Sequence, residues 1–154
     1  MIKNIFRWYR RYYSIEQRYY RALKFWKMGG VYKYLSIYIT NRINRNYSCY
    51  LSPKATVGER LSLRHPVGIV IGDGVHLGND VCLYQSVTLG AVRSGEGEKN
   101  LYPTISDNVV IFAGACVLGS VKLSEGVTVG ANAVLLTDAE KNSVYVGIPA
   151  KKIK

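Results

Sequence analysis

Acidic side chains are almost missing from the first 48 residues of this 154-residue chain. That stretch holds one, Glu16, against 11 Lys and Arg, whereas residues 49–154 hold 9 acids against 10 Lys and Arg. Of the net charge of +11, +10 therefore sits in the first stretch, together with nine of the 13 tyrosines and both tryptophans. Cysteine is scarce as well. Three cysteines (Cys49, Cys82, Cys116) at unrelated spacings exclude a disulfide framework and a CxxC metal knuckle, and they fit a reducing cytoplasm. No run reaches the roughly 18 apolar residues of a spanning helix. The start, MIKNIFRWYRRYY, is positive but lacks an apolar core and a small-residue cleavage site, so no secretory signal is expected. With 48% hydrophobic and 20% charged residues, wholesale disorder is excluded.

The neutral part is a repeat. A large aliphatic recurs every six residues at Leu51, Val57 and Leu63. After a two-residue slip it resumes at Ile71, Leu77, Leu83 and Leu89, and after an insertion it runs through Ile105, Ile111, Val117, Leu123, Val129 and Leu135. A small or aliphatic residue follows four positions later at Ala55, Leu61, Val67, Val75, Val81, Val87, Val109, Ala115, Val121, Val127, Ala133 and Ala139. A period of six is neither the 3.6 of a helix nor the 2 of a strand. It describes a short strand, a corner and a return to the same inward orientation. Three such units close a coil of about 18 residues, and coils stack at roughly the 4.8 Å strand spacing. Thirteen units make a little over four coils. Strand lengths in a β-sandwich vary too much to hold this phase. Gly, Asn and Asp between the units supply the corners. Residues 91–103, AVRSGEGEKNLYP, are polar and glycine-containing and are expected to leave the coil as a loop.

Residues 1–48 form a basic aromatic arm ahead of a domain spanning 49–154. Ser14 and Gln17 make a capping box, and Ile15, Tyr19, Leu23 and Trp26 share one helical face that Gly29-Gly30 ends. A second helix is expected from about Val31 to Ile43, with Tyr34, Leu35, Tyr38 and Ile39 grouped. The helices pack on the coil with a solvated basic face, or they meet an anionic membrane surface, where Lys/Arg with Trp/Tyr is the expected mix. No nucleic-acid motif accompanies the charge.

Several segments in order resemble the hexapeptide-repeat acyltransferases, in particular the serine acetyltransferase branch. They are His65-Pro-Val-Gly-Ile-Val-Ile-Gly72, Gln85-Ser-Val-Thr-Leu-Gly90, Pro103 to Ile111, Ala113 to Gly119, Val129 to Val134 and Gly147-Ile-Pro-Ala150. The resemblance implies a mainly β fold, a left-handed parallel β-helix with a short helical arm. It also implies a homotrimer that binds acetyl-CoA between subunits and needs no metal. A zinc carbonic anhydrase on the same fold needs three histidines, and this chain has His65 and His76 alone. Within the resemblance His65 is the general base: an imidazole titrating near neutrality takes the proton of a hydroxyl as it attacks the thioester. CoA contacts are implied at Gly90, Ala91, Ala113 and Ala131, with Lys151 and Lys152 toward the phosphates.

The chain departs from serine acetyltransferases at the acceptor. Arg64 stands where they carry an aspartate for the serine ammonium, and Tyr102 and Leu101 replace a histidine and an arginine. Tyr50 replaces the aspartate that orients the base, leaving Asp73 as a candidate for that role. Phe112 replaces a glycine, and about 48 residues precede the coil where those enzymes carry a large helical domain. Tyr84 and Tyr102 suit a sugar face, and Arg64 an acidic group. The expectation is therefore acetyl transfer to a sugar hydroxyl of a cell-surface polysaccharide or its precursor, as in capsule and exopolysaccharide O-acetyltransferases. Serine O-acetylation is the alternative, and a non-catalytic membrane-associated scaffold the remote one.

Overall fold

A computed structural model describes residues 14–92 and 101–154. The first part of the basic arm and residues 93–100 of the loop lie outside the described residues. Ser14 caps the first helix, α1 (Ile15–Met28), through a complete capping box with Gln17, and Gly29 ends it. The second helix, α2, runs Tyr32–Tyr47, one turn beyond the expected Ile43.

The rest of the described chain winds into stacked coils with three flat faces. Face one carries β1 (Tyr50–Leu51), β4 (Val70–Ile71), β7 (Thr88–Gly90), β10 (Cys116–Leu118) and β13 (Val134–Leu135). Face two carries β2 (Thr56–Val57), β5 (His76–Leu77), β8 (Thr104–Ile105) and β11 (Lys122–Leu123), and Ala139 bridges to Leu123 at its end. Face three carries β3 (Ser62–Leu63), β6 (Cys82–Leu83), β9 (Val110–Ile111), β12 (Thr128–Val129) and β14 (Val144–Val146), with β15 (Lys151–Lys152) folding back antiparallel on β14. All other pairings are parallel, and the inward residues stack in register: Leu51 on Ile71, Ile71 on Leu89, Leu89 on Val117 and Val117 on Leu135. The stack reaches five coils, because Ala139 and Tyr145 complete a last turn that the six-residue count stops short of.

The inward aliphatics, apart from the half-buried Val57, are buried in one continuous core that also takes in Ile15, Tyr19, Leu23 and Ile43 of the helices. Each such side chain contributes roughly 1.5–3 kcal/mol of transfer free energy. The helices close the first coil. The Tyr19 hydroxyl donates to the Ser52 carbonyl (2.7 Å) and that of Tyr20 to the Gly58 carbonyl (2.7 Å), while Glu16 accepts from the Leu63 N–H (3.0 Å).

Two corners of every coil need a left-handed residue three positions before the inward aliphatic. Entering face three these are Arg60, Asp80, Asn108, Gly126 and Asn142, and entering face one they are Ser48, Gly68, Ser86, Gly114 and Asn132. Asn and Gly tolerate that conformation at low cost, which explains their recurrence. Among the described residues no helix is long and apolar enough to cross a membrane.

Candidate active site

His65 lies on the corner from face three to face one of the first coil, and its φ of +50° belongs to neither corner series. The reason is the two-residue slip. Leu63 to Ile71 spans two residues more than Leu83 to Leu89 one coil on, so the corner bulges at Arg64–Gly68. The bulge holds itself by a tight turn in which the Val67 N–H donates to the His65 carbonyl (2.7 Å). Val67, which the six-residue count points inward, is 58% exposed, and Ile69 fills the core in its place. Arg64 and His65 are both exposed, and among the described residues neither side chain has a hydrogen-bond partner or counter-ion. A strained, solvent-facing histidine on an inserted corner is a common signature of a functional position.

The register continues upward from this corner. Tyr84 follows β6 as Arg64 follows β3, and Gln85 occupies the place of His65 one coil on. Phe112 and Ala113 come next, then Gly130 and Ala131. The corner backbones are tied together, the Gly114 N–H to the Gln85 carbonyl (3.0 Å) and the Asn132 N–H to the Ala113 carbonyl (2.9 Å). Tyr84 and Phe112 stack at 5.0 Å, so the phenyl ring in the expected glycine position lies over its neighbour. Beyond it Gly130, Ala113 and Ala131 leave a shallow track of small side chains. Lys151 pairs with Val146 at the end of that track, and Lys152 is held by Glu140 (2.6 Å). The Gln85 Oε1 is buried beside the histidine corner and has no partner; sequence reasoning passed over this group, although its place one coil above His65 follows from the register.

The remaining expected site residues gather on a different edge, where face one turns into face two. Gly90 and Ala91 stand there as the loop leaves, and Tyr102 returns from it. The Tyr102 ring lies against Gly72 and Gly74: a Cβ on Gly72 would sit 2.6 Å from it, and one on Gly74 would clash as well. Asp73 lies between those glycines. It accepts from the Ser52 hydroxyl (2.7 Å) and the Tyr50 hydroxyl (3.3 Å) and pairs with Lys54 (2.6 Å). Partial burial works to raise its carboxyl, but the bonds from Lys54 and Ser52, the Lys54 charge and the Tyr50 bond outweigh burial and hold it below the usual range. Burial and the same carboxylate raise the Tyr50 phenol, and bonding to Asp73 raises the Lys54 amine. Within one chain neither Asp73 nor Tyr50 turns to His65: β4 separates the two corners, and their polar atoms engage each other. His76, exposed on β5, keeps its Nδ1 at 2.9 Å from the Gly74 carbonyl.

A continuous three-faced coil with an exposed corner histidine and a track of small residues defines the class as hexapeptide-repeat acyltransferase in fold. The solved structures it matches give the left-handed parallel β-helix, the reverse of the usual crossover hand. No protein-family model matches the chain. Serine acetyltransferase of Buchnera aphidicola (from Schizaphis graminum) is 44% identical over 120 residues, which is 78% of this chain and 46% of that protein. Serine acetyltransferase of Staphylococcus aureus Mu50 is 39% identical over 129 residues, 83% of this chain and 60% of that protein. The chain thus spans about half the length of the curated relatives it matches. Among solved structures, soybean serine acetyltransferase complexed with serine superposes with a TM-score of 0.80 at 31% identity, covering 90% of this chain and 56% of that one. A serine acetyltransferase in complex with CoA gives 0.79 at 28%, covering 90% and 55%. These similarities do not support the polysaccharide acceptor expected from Arg64 and Tyr102, nor the resemblance to capsule and exopolysaccharide enzymes; they favour the serine alternative.

Proposed function

We propose that this chain transfers an acetyl group from acetyl-CoA to the hydroxyl of L-serine, with His65 as general base. The observation that carries the reading is the corner itself: an inserted, left-handed, exposed histidine heads a track of small residues, in a chain similar to serine acetyltransferases along its coil. The imidazole takes the hydroxyl proton as the oxygen attacks the thioester carbonyl carbon. Collapse of the tetrahedral intermediate breaks the C–S bond, and the imidazolium returns the proton to the departing thiolate. The track over Ala113 and Ala131 suits a pantetheine arm lying close to the backbone, and Lys151 at its end suits a phosphate. Arg64 beside the base replaces the expected carboxylate, so it fits the acceptor's carboxylate instead of its ammonium.

The track's edge and the Tyr102 edge of one chain face apart. Three copies around an axis would set the histidine corner of one against the tyrosine edge of the next, which supports the trimer that the resemblance implies. The test is thiol release from acetyl-CoA with L-serine, with His65→Ala as control. Serine-dependent, His65-dependent release is expected. Intact CoA binding without serine turnover would overturn the acceptor and return the sugar reading, which Arg64 and Tyr102 favour. No CoA binding at all would leave a scaffold.

A further inference from the structure

We propose that the outward face of α2 docks the protein on an anionic lipid surface. The inference is independent of the acceptor. It starts from what α2 does not bury. Of the expected apolar group, Ile39 is half-buried against the core, whereas Tyr34, Leu35 and Tyr38 are exposed. The residues that α2 buries are Ser36, Thr40 and Ile43. Its hydroxyls are satisfied there: Ser36 Oγ donates to the Ala22 carbonyl of α1 (2.7 Å), and Thr40 Oγ1 lies 3.1 Å from the Ser36 and Ile37 carbonyls. The apolar stripe is left outside. Val31, Tyr34, Leu35 and Tyr38, at i, i+3, i+4 and i+7, are 75%, 77%, 41% and 54% exposed.

The charge around the stripe selects its occupant. Residues 14–48 carry seven Lys and Arg and one acid. That acid, Glu16, is turned to the coil, where it accepts from the Leu63 N–H (3.0 Å). Cations are held at ring level: the Arg42 guanidinium lies 5.8 Å over the Tyr38 ring and donates to its hydroxyl (3.0 Å), and Lys33 lies 5.1 Å over Trp26. Two copies meeting through this face would set Lys33, Arg42 and Arg45 against their own kind, with the one helical acid, Glu16, turned away to the coil. A surface of anionic headgroups accepts the cations while the tyrosines and Leu35 enter the interface. The coil next to these helices is the one that carries His65.

The full chain is floated with vesicles of phosphatidylcholine alone and of phosphatidylcholine with about 30% phosphatidylglycerol. Binding is expected only to the anionic vesicles, and about 0.5 M salt weakens it. Tyr34→Ser with Leu35→Ser and Tyr38→Ser lowers the affinity about tenfold or more, as does Lys33→Glu with Arg42→Glu. Should the triple variant fail to fold, Tyr34→Ser alone at the most exposed position gives the same reading. Absence of binding overturns the proposal, and so does unchanged binding by the stripe variants. It is equally overturned if sedimentation velocity shows those variants breaking an oligomer, because the stripe is then a contact between copies.

Discussion

Ten left-handed residues at the corners of the coil follow from its geometry, and His65 does not. An L-residue with a Cβ pays roughly 1–2 kcal/mol for that conformation, whereas glycine adopts it freely. His65→Gly is therefore expected to melt at the same temperature or a few degrees higher while kcat falls about 10²–10⁴-fold. A clear loss of stability would mean that the imidazole carries packing, against its exposure. Arg64 separates binding from chemistry. If it meets the serine carboxylate, Arg64→Gln raises KM for serine about 10–100-fold and leaves kcat within a few-fold; an unchanged KM would remove Arg64 from the acceptor site. Asp73 gives a pH signature. Its carboxyl is depressed in the folded state, so the stability it adds is fully present above the ordinary aspartate range near pH 4 and is lost as pH falls through the lower, folded value. Chemical denaturation of Asp73→Asn beside the natural chain is expected to show a gap at neutral pH that closes in acid. With Lys54 53% exposed, that gap is small, up to about 1 kcal/mol.

At the scale of the element, the bulge separates fold from activity. Excising Pro66 and Val67 leaves Arg64-His65-Gly68 in the register of Tyr84-Gln85-Ser86. The coil is expected to fold with its core unchanged, since Ile69 and Ile71 keep their places, while thiol release is lost because the imidazole drops into line with Gln85. Retained activity would show that the bulge is ornamental. The same slip marks how far the sequence could be read. The inward aliphatics were legible because each keeps its phase for coil after coil and every coil buries the same position. Val67 was misplaced because a slip can be counted from its ends but not located between them. The final turn was missed because Ala139 and Tyr145 close it two residues early, with side chains of very different size. The buried face of α2 was not legible because an apolar grouping does not say which face a neighbour takes. There a close approach to α1 favours Ser36 and Thr40, whose hydroxyls find carbonyls. At the site, His65 and its track were visible as motif and register. That Asp73 serves Lys54, Ser52 and Tyr50 depends on a corner's fold, which spacing does not carry.

For the whole molecule, the question is whether one chain holds a complete site. His65, Tyr84, Ala113 and Ala131 run along one edge of face one, and Gly90, Ala91, Tyr102 and Asp73 along the other. A rigid coil cannot bend one edge onto the other, since five parallel strands and a continuous core lie between them. If both edges serve one reaction, the second must come from another copy, and a closed ring of three satisfies every edge at once. Variants altered on opposite edges decide this. His65→Ala removes the proposed base, and Tyr102→Ala removes the ring that rests on Gly72 and Gly74; each alone is expected to be nearly inactive. Unfolded together in equal amounts and refolded, the chains assort at random. A site between copies is then intact when a His65-bearing chain sits beside a Tyr102-bearing one, which occurs for about one site in four. Activity is thus expected to return to about a quarter of the natural level. A site contained in one chain would recover nothing, because every chain in the mixture keeps its own lesion.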